Sequence, residues 1–108
     1  MAELEPRHIQ RLERFIRAGF AIVAFPMYAS AVGVRKGNCA ALLDPLPDGT
    51  LSLLGSPCYL VEGNLSVRIR DAQGEWFVWK SRRVRATEDR LAELAGLTEE
   101  ILILLGPA

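Results

Sequence analysis

Apolar residues recur at helical spacing near the start of the chain and at closer spacing through most of the remainder. After Pro6, a residue suited to the first turn of a helix, one side of the chain is apolar and the arginines fall mostly on the other side. This pattern predicts a helix from about Pro6 to Ala18, ending near Gly19. Its buried stripe consists of Ile9, Leu12, and Phe15 or Ile16.

Short apolar runs separated by Gly, Pro, Asn and Asp follow this helix, and they predict five or six short antiparallel strands. One turn is well defined, because Leu46-Pro47-Asp48-Gly49 has the composition of a type I turn with glycine in the left-handed position. These strands are drawn from seven apolar runs, which cover residues 20–25, 29–35, 40–45, 50–54, 58–61, 64–70 and 75–80.

The clearest hairpin joins residues 64–70 to residues 75–80 across Asp71-Ala72-Gln73-Gly74. With Gly74 in a left-handed bulge, Arg70 pairs with Glu75 and the register continues outward from there. The further pairs are Ile69 with Trp76, Arg68 with Phe77, Val67 with Val78, and Ser66 with Trp79. Cross-strand partners share a face of the sheet.

This register predicts a core face and a partner-binding face. The core face carries Leu65, Val67, Ile69, Trp76 and Val78. The other face interleaves aromatic rings with arginines, a pattern typical of a platform on which unpaired bases stack. The predicted binding residues are Arg68, Phe77, Trp79, Lys80, Arg82 and Arg83. The alternative is that a helix covers Phe77 and Trp79, with Arg68 across an indole at the rim.

The C-terminal segment carries signals for two short helices. Thr87 is a good cap for a helix through Ala95, Gly96 is a stop signal, and Thr98 caps a second helix to about Leu105. Residues 87–98 resemble the first helix and turn of a helix-turn-helix motif. The second helix departs from that motif, because it is acidic at its start and apolar on every side. We therefore expect a helical hairpin without DNA recognition.

Together these elements predict one α+β domain over residues 1–108. It consists of a small antiparallel β-meander, curved or barrel-like, with an N-terminal helix and a C-terminal helical hairpin.

Charge and hydropathy bear on the partners. The chain has 13 basic and 13 acidic residues, so no global field attracts nucleic acid or an anionic membrane. A protein with zero net charge and a terminal helix that is apolar on every side is expected to hide that helix in an oligomer. We expect a homodimer or other homo-oligomer that forms through Ile101, Leu102, Leu104 and Leu105, with a protein partner as a second expectation.

Residues 18–34 contain no charge, at the lower edge of the length of a membrane span. Pro26, Tyr28 and Ser30 interrupt the run, and we interpret it as buried strand, with no membrane partner.

Cys39 and Cys58 lack metal-ligand spacing and lie too far apart in the predicted register for an unstrained disulfide. Free thiols indicate a reducing cytoplasm.

Catalytic and cofactor motifs are absent from the sequence. His8 is the single histidine, the glycines lie singly in turns, and no nucleophile or paired acids stand out. We expect no cofactor and no metal. The leading prediction is a non-enzymatic, self-associating interaction module. The alternatives are a single-stranded nucleic-acid binder and a small-ligand carrier or enzyme with a barrel-like cavity.

Overall fold

The computed structural model describes residues 3–106, and it contains two helices, eight strands and one short 3-10 turn. The helices are α1 (Pro6–Arg17) and α2 (Glu88–Leu104), and the 3-10 turn is Pro26–Tyr28. The strands are β1 (Ala21–Val23), β2 (Val32–Lys36), β3 (Cys39–Pro45), β4 (Leu51–Val61), β5 (Asn64–Leu65), β6 (Val67–Asp71), β7 (Gly74–Trp79) and β8 (Arg82–Arg85).

All strand pairs are antiparallel and join consecutive strands, as a meander requires. Strands β1 to β5 form a five-stranded sheet and β6 to β8 a three-stranded sheet. The two sheets together curl into a half-barrel with one helix from each end of the chain, in a molecule of 47 × 25 × 18 Å. The α+β class and the curved meander are therefore confirmed. The strand count is higher than predicted, because residues 64–71 divide into two strands and residues 82–85 add another.

The curl of the larger sheet has a local cause in β4. Leu42 of β3 pairs with Leu54, whereas Ala40 pairs with Cys58, so β4 carries two extra residues between these pairs. Gly55 begins the extra segment with φ +69°, a left-handed conformation that glycine adopts without steric cost. Because of this bulge, β4 is one bent strand of 11 residues, where the sequence predicts two separate strands.

Helix α1 is anchored to the sheet by a buried histidine. The backbone N–H of Glu5 donates to Nδ1 of His8 at 3.0 Å, which leaves Nε2 to donate to the carbonyl of Leu46 at 2.7 Å. The ring is therefore a neutral tautomer that links the start of α1 to the predicted turn after β3. Leu12 and Phe15 are the buried apolar residues of this helix, whereas Ile9 and Ile16 are exposed.

The C-terminal hairpin prediction is wrong, because residues 88–104 form a single helix. Thr87 caps it as predicted and accepts from the N–H of Arg90. Gly96 lies inside the helix, and the hydroxyl of Thr98 donates to the carbonyl of Leu94 within it, at 2.8 Å. Leu97 and Ile101 pack into the core on one continuous stripe. That burial outweighs the cost of about 1 kcal/mol for a helical glycine.

The core lies between the concave side of the half-barrel and the two helices. Its largest fully buried side chains are Phe15, Phe77, Leu43, Ile101, Val32, Val34, Val61 and Cys39. At the edge of this core, Nζ of Lys36 donates to the carbonyl of Ala18 at 2.7 Å and to Glu100 at 2.8 Å. This lysine thereby joins the end of α1 to α2. Neither helix within residues 3–106 has the length and apolar character needed to cross a bilayer.

Candidate binding surface

The predicted register of the β6–β7 hairpin is confirmed, but its two faces are the reverse of those predicted. Arg68 pairs with Phe77, and Ile69 with Trp76. Phe77 is 1% exposed, and its ring stacks on Tyr59 of β4 with centroids 4.9 Å apart and an interplanar angle of 14°. Val67, which the sequence assigns to the core, is 66% exposed. Phe77 is therefore a core residue and not a contact for a partner.

The reversal has a physical reason in β8. Val84 of β8 pairs with Phe77, and the two point inward together, while Arg83 and Arg85 flank Trp76 on the outer side. The long arginine side chains thus cover the outward-facing indole in part, so the ring does not need to be buried in the core. The sequence analysis ends the last predicted strand at residue 80, and so it lacks this third strand.

Trp79 and Lys80 lie at the rim of the core. The Trp79 ring is half-buried against the core, and Nζ of Lys80 lies 5.0 Å from its centroid. Trp79 and Lys80 also line a surface cavity of about 290 Å³ together with Phe25, Met27 and Tyr28. Trp79 is therefore partly buried and partly open to this cavity.

Arg68 is on the same face as Phe77 but lies beyond the core, where it is held by a carboxylate. Its Nε donates to Glu75 at 2.6 Å, and Arg70 donates to the same carboxylate at 2.6 Å. The hydrogen bond from Arg68, followed by that from Arg70, lowers the pKa of Glu75 from 4.5 to about 2. Arg68 is thus committed to an intramolecular ion pair.

Arg82 and Arg83 point to opposite faces of β8. Arg82 pairs with Glu62 at 3.2 Å, whereas the guanidinium of Arg83 lies 4.1 Å from the centroid of Trp76. The six predicted binding residues therefore do not form one surface. Only Arg83 belongs to the outer face of the three-stranded sheet.

That outer face has a tryptophan at its centre. Arg83 and Arg85 lie 4.1 and 4.4 Å from the Trp76 centroid, and the indole N–H donates to Oδ1 of Asp71 at 3.1 Å. This hydrogen bond, with one from the backbone N–H of Gln73, lowers the pKa of Asp71, so the carboxylate stays charged beside the indole. These contacts hold the ring in one orientation.

Aliphatic side chains extend this face beside the tryptophan. Val67 is 66% exposed and Ile69 42% exposed, and Val78 is half-buried. We call the surface formed by Val67, Ile69, Trp76, Val78, Arg83 and Arg85 the Trp76 face. Two basic side chains, Arg83 and Arg85, lie against the indole, and the acidic Asp71 lies 3.6 Å from Arg83 on the same face. The face is therefore apolar at its centre and carries an excess of one positive charge at its margin.

The residues predicted for self-association divide between core and surface. Ile101 is fully buried, and Leu104 and Leu105 are half-buried against the core. Leu102 is 56% exposed, and its neighbour Ile103, which the sequence analysis leaves out, is 70% exposed. Two large aliphatic side chains near the end of α2 thus remain on the surface.

An open groove lies between α2 and the bulge of β4. Its volume is about 630 Å³, and its walls are mainly Leu91, Leu94 and Leu102 with Pro57. Among the polar groups at its margin, Thr98 bonds to Leu94 and Arg68 to Glu75, whereas Glu99 has no ion pair within residues 3–106.

Both cysteines are free. Burial, followed by the charge of Glu93 and a contact to its carboxylate, raises the pKa of Cys39 to about 12, and burial raises that of Cys58. Neither thiol has the lowered pKa of a reactive nucleophile. Within residues 3–106, no group of three or more metal-ligating side chains is present.

Comparisons with known proteins give no relative for this chain. No protein-family model matches it, and neither a curated protein nor a solved structure does. Sequence reasoning missed the Trp76 face, although one signal for it was present. Arg83-Val84-Arg85 alternates with the two-residue period of a strand directly after β7.

Proposed function

We propose that this protein is a non-enzymatic binding module of the cytoplasm that holds an acidic protein partner on the Trp76 face. The observation that carries the proposal is the position of Trp76, held on the solvent side of a sheet between Arg83 and Arg85. Tryptophan and arginine are the residues that most often dominate the energetics of protein interfaces. The free thiols support a reducing compartment.

Order and charge both support binding at this face. The hydrogen bond to Asp71 and the two guanidinium groups restrain the indole, so little conformational entropy is lost on association. Val67 and Ile69 supply apolar area that a partner removes from water. Arg83 and Arg85, with Asp71 as the acidic residue beside them, give this face a positive charge that favours encounter with an acidic surface.

Single-stranded nucleic acid is the second candidate for the same face. A half-buried indole on the outer side of a sheet offers a surface on which a base can stack when it displaces a guanidinium group, for about 1–3 kcal/mol. Against it, Trp76 is the one aromatic residue of the face, and its neighbours Val67 and Ile69 are aliphatic. A track of several bases needs several rings, so a protein partner fits the surface better.

The experiment uses Trp76 as its own reporter. A Trp79→Phe variant leaves Trp76 as the remaining indole, and its fluorescence is followed during titration with polyglutamate and with an oligothymidylate of equal charge. We expect both polymers to change the emission at low salt, with binding that weakens as salt rises. If neither polymer changes the emission at low salt, the proposal is wrong.

Matched variants separate the Trp76 face from general charge. Arg83→Glu is expected to weaken polyglutamate binding at least about tenfold, whereas Arg17→Glu, an equal change at an exposed position of α1, leaves it within about twofold. Tighter binding of the oligothymidylate by tenfold or more, lost in Trp76→Ala, would instead favour the nucleic-acid candidate.

A further inference from the structure

Helix α2 presents a continuous exposed stripe on the side opposite its buried residues. Members of the stripe are three or four residues apart, the spacing that aligns side chains on one face of a helix. They are Glu88, Asp89, Ala92, Ala95, Gly96, Glu99, Leu102 and Ile103, all of them exposed. We call this surface the α2 stripe.

The composition of the α2 stripe is not that of an ordinary solvated helix face. It contains no basic residue and it ends in Leu102 and Ile103, which are 56% and 70% exposed. Its middle consists of Ala92, Ala95 and Gly96, small residues over which another chain can approach closely.

The acidic residues of the helix fall into two groups. Glu93 accepts from the backbone of Asn38 at 2.9 Å, and Glu100 pairs with Lys36, so these two serve the fold. Glu88, Asp89 and Glu99, which lie on the stripe, form no ion pair within residues 3–106. Their charge is therefore available to a partner.

The α2 stripe and the Trp76 face are complementary in charge. The stripe carries three acidic residues and no basic one, whereas the Trp76 face carries two arginines and one aspartate. Leu102 and Ile103 on the stripe correspond to Val67 and Ile69 on the face as exposed apolar groups. Each surface lies opposite the buried side of its own element, so the two cannot meet within one chain.

We propose that the partner of the Trp76 face is a second copy of this chain, whose α2 stripe lies across the face. This inference rests on the proposed function, since it names the occupant of the same surface. In a two-fold arrangement the contact occurs twice, with each copy contributing one helix and one sheet.

Charge favours the pairing of helix with sheet over two simpler symmetric dimers, in which helix packs on helix or sheet packs on sheet. Packing α2 against α2 of a second copy would bring together two stripes that each carry three carboxylates and no basic residue. Packing two Trp76 faces together would bring Arg83 and Arg85 of the two copies close together. Like charges across an interface cost free energy, whereas helix on sheet places opposite charges together.

The dimensions of the two surfaces agree with this pairing. Helix α2 has 17 residues and is therefore about 25 Å long, and a helix is about 10 Å wide. Three strands span about 10 Å between their outer members, enough to seat one helix. One such contact is small beside the ~1,600 Å² of a standard interface, and the reciprocal pair doubles it.

The test combines two charge-reversed variants of the full chain. The sheet variant is Arg83→Glu with Arg85→Glu, and the helix variant is Ala92→Lys with Glu99→Lys, which leaves the acidic first turn of α2 intact. Sedimentation velocity over a range of concentrations gives the dissociation constant. We expect the wild-type chain to dimerise and each variant alone to bind itself at least about tenfold more weakly.

Mixing the two variants identifies which surfaces meet. A mixed dimer pairs the acidic sheet with the basic helix and the unchanged sheet with the unchanged helix, so we expect the mixture to recover dimerisation. If the sheet variant alone dimerises like the wild-type chain, the helices pair with each other and the inference is wrong. If the helix variant alone does so, the sheets pair and it is equally wrong.

A control excludes rescue by net charge alone. Arg17→Glu with Arg35→Glu changes the charge by the same amount as the sheet variant, at exposed positions outside both surfaces. Its mixture with the helix variant must not recover dimerisation. If the sheet variant does not fold, Val67→Glu introduces negative charge on the face at a 66% exposed site and replaces it.

Failure of this inference is distinguishable from failure of the proposed function. A wild-type chain that remains monomeric at every concentration, while Trp76 still reports polyglutamate, overturns self-pairing and leaves the binding face in place. A chain that neither dimerises nor responds to polyglutamate overturns both.

Discussion

Tyr59 and Phe77 stack with their ring centroids 4.9 Å apart and their planes 14° from parallel. Tyr59 belongs to β4 in the five-stranded sheet and Phe77 to β7 in the three-stranded sheet. This pair therefore joins the two sheets, and it determines that the side of β7 carrying Trp76 faces outward.

Phe77→Ala is expected to lower the free energy of unfolding by about 3–5 kcal/mol, because it removes a fully buried ring from the junction between the sheets. Val67→Ala on the other face, at a 66% exposed site, should change it by no more than about 0.5 kcal/mol. Urea denaturation measures both. Equal losses in the two variants would contradict the assignment of the faces.

Gly96→Ala is expected to stabilise the fold by up to about 1 kcal/mol, since a Cβ at this helical position would meet no atom within 4 Å. Gly33→Ala is the contrasting change. Its Cβ would lie 2.6 Å from the carbonyl oxygen of Val23 and 2.8 Å from the Phe25 ring, so the variant should be destabilised. Thermal unfolding should therefore shift in opposite directions for the two alanines.

Cys39 is expected to resist alkylation in the folded protein, because burial and Glu93 raise its pKa to about 12. Cys58 is only partly buried and should react first with iodoacetamide.

The raised pKa of Cys39 makes the stability of the fold depend on pH. Its contribution is fully present below pH 9.0, the ordinary pKa of a thiol, and is lost as the pH rises toward about 12. Wild type should lose stability more steeply than Cys39→Ala over this interval. Parallel curves would contradict the shift.

Glu75 is expected to titrate near pH 2, because Arg68 and Arg70 donate to its carboxylate. A lowered pKa stabilises the fold above the ordinary value of 4.5, and this contribution is lost as the pH falls through about 2. Carboxyl NMR measures the pKa directly. Arg68→Gln should raise the pKa of Glu75 more than Arg70→Gln does, since the hydrogen bond from Arg68 is the larger cause of the lowered pKa. If neither variant raises this pKa, the ion pairs are contradicted.

Local signals in the sequence predicted where helices and strands form better than they predicted which side of each element is buried. The register of β6 against β7 follows from the turn around Gly74, and the cap at Thr87 follows from its side chain. The register establishes that Ile69 and Trp76 share a face, but it does not determine which face is buried. That choice depends on β8 and on Tyr59, which lie outside the hairpin in the sequence.

The two main errors have the same physical origin. Gly96 is a stop signal by local propensity, but the packing of Leu97 and Ile101 onto the core continues α2 through it. Likewise, Trp76 is the larger apolar residue, yet Phe77 is the one that meets Tyr59. In both places tertiary contacts outweigh the local signal, which at Gly96 is a preference of about 1 kcal/mol.

The consecutive order of the strands has a consequence for how the chain folds. Each strand pairs only with its neighbours in sequence, so the half-barrel can form hairpin by hairpin without closing a long loop. Helix α2 must then return from the end of β8 to reach β3, β4 and α1. We expect rapid formation of the hairpins during refolding, with docking of α2 as the last step.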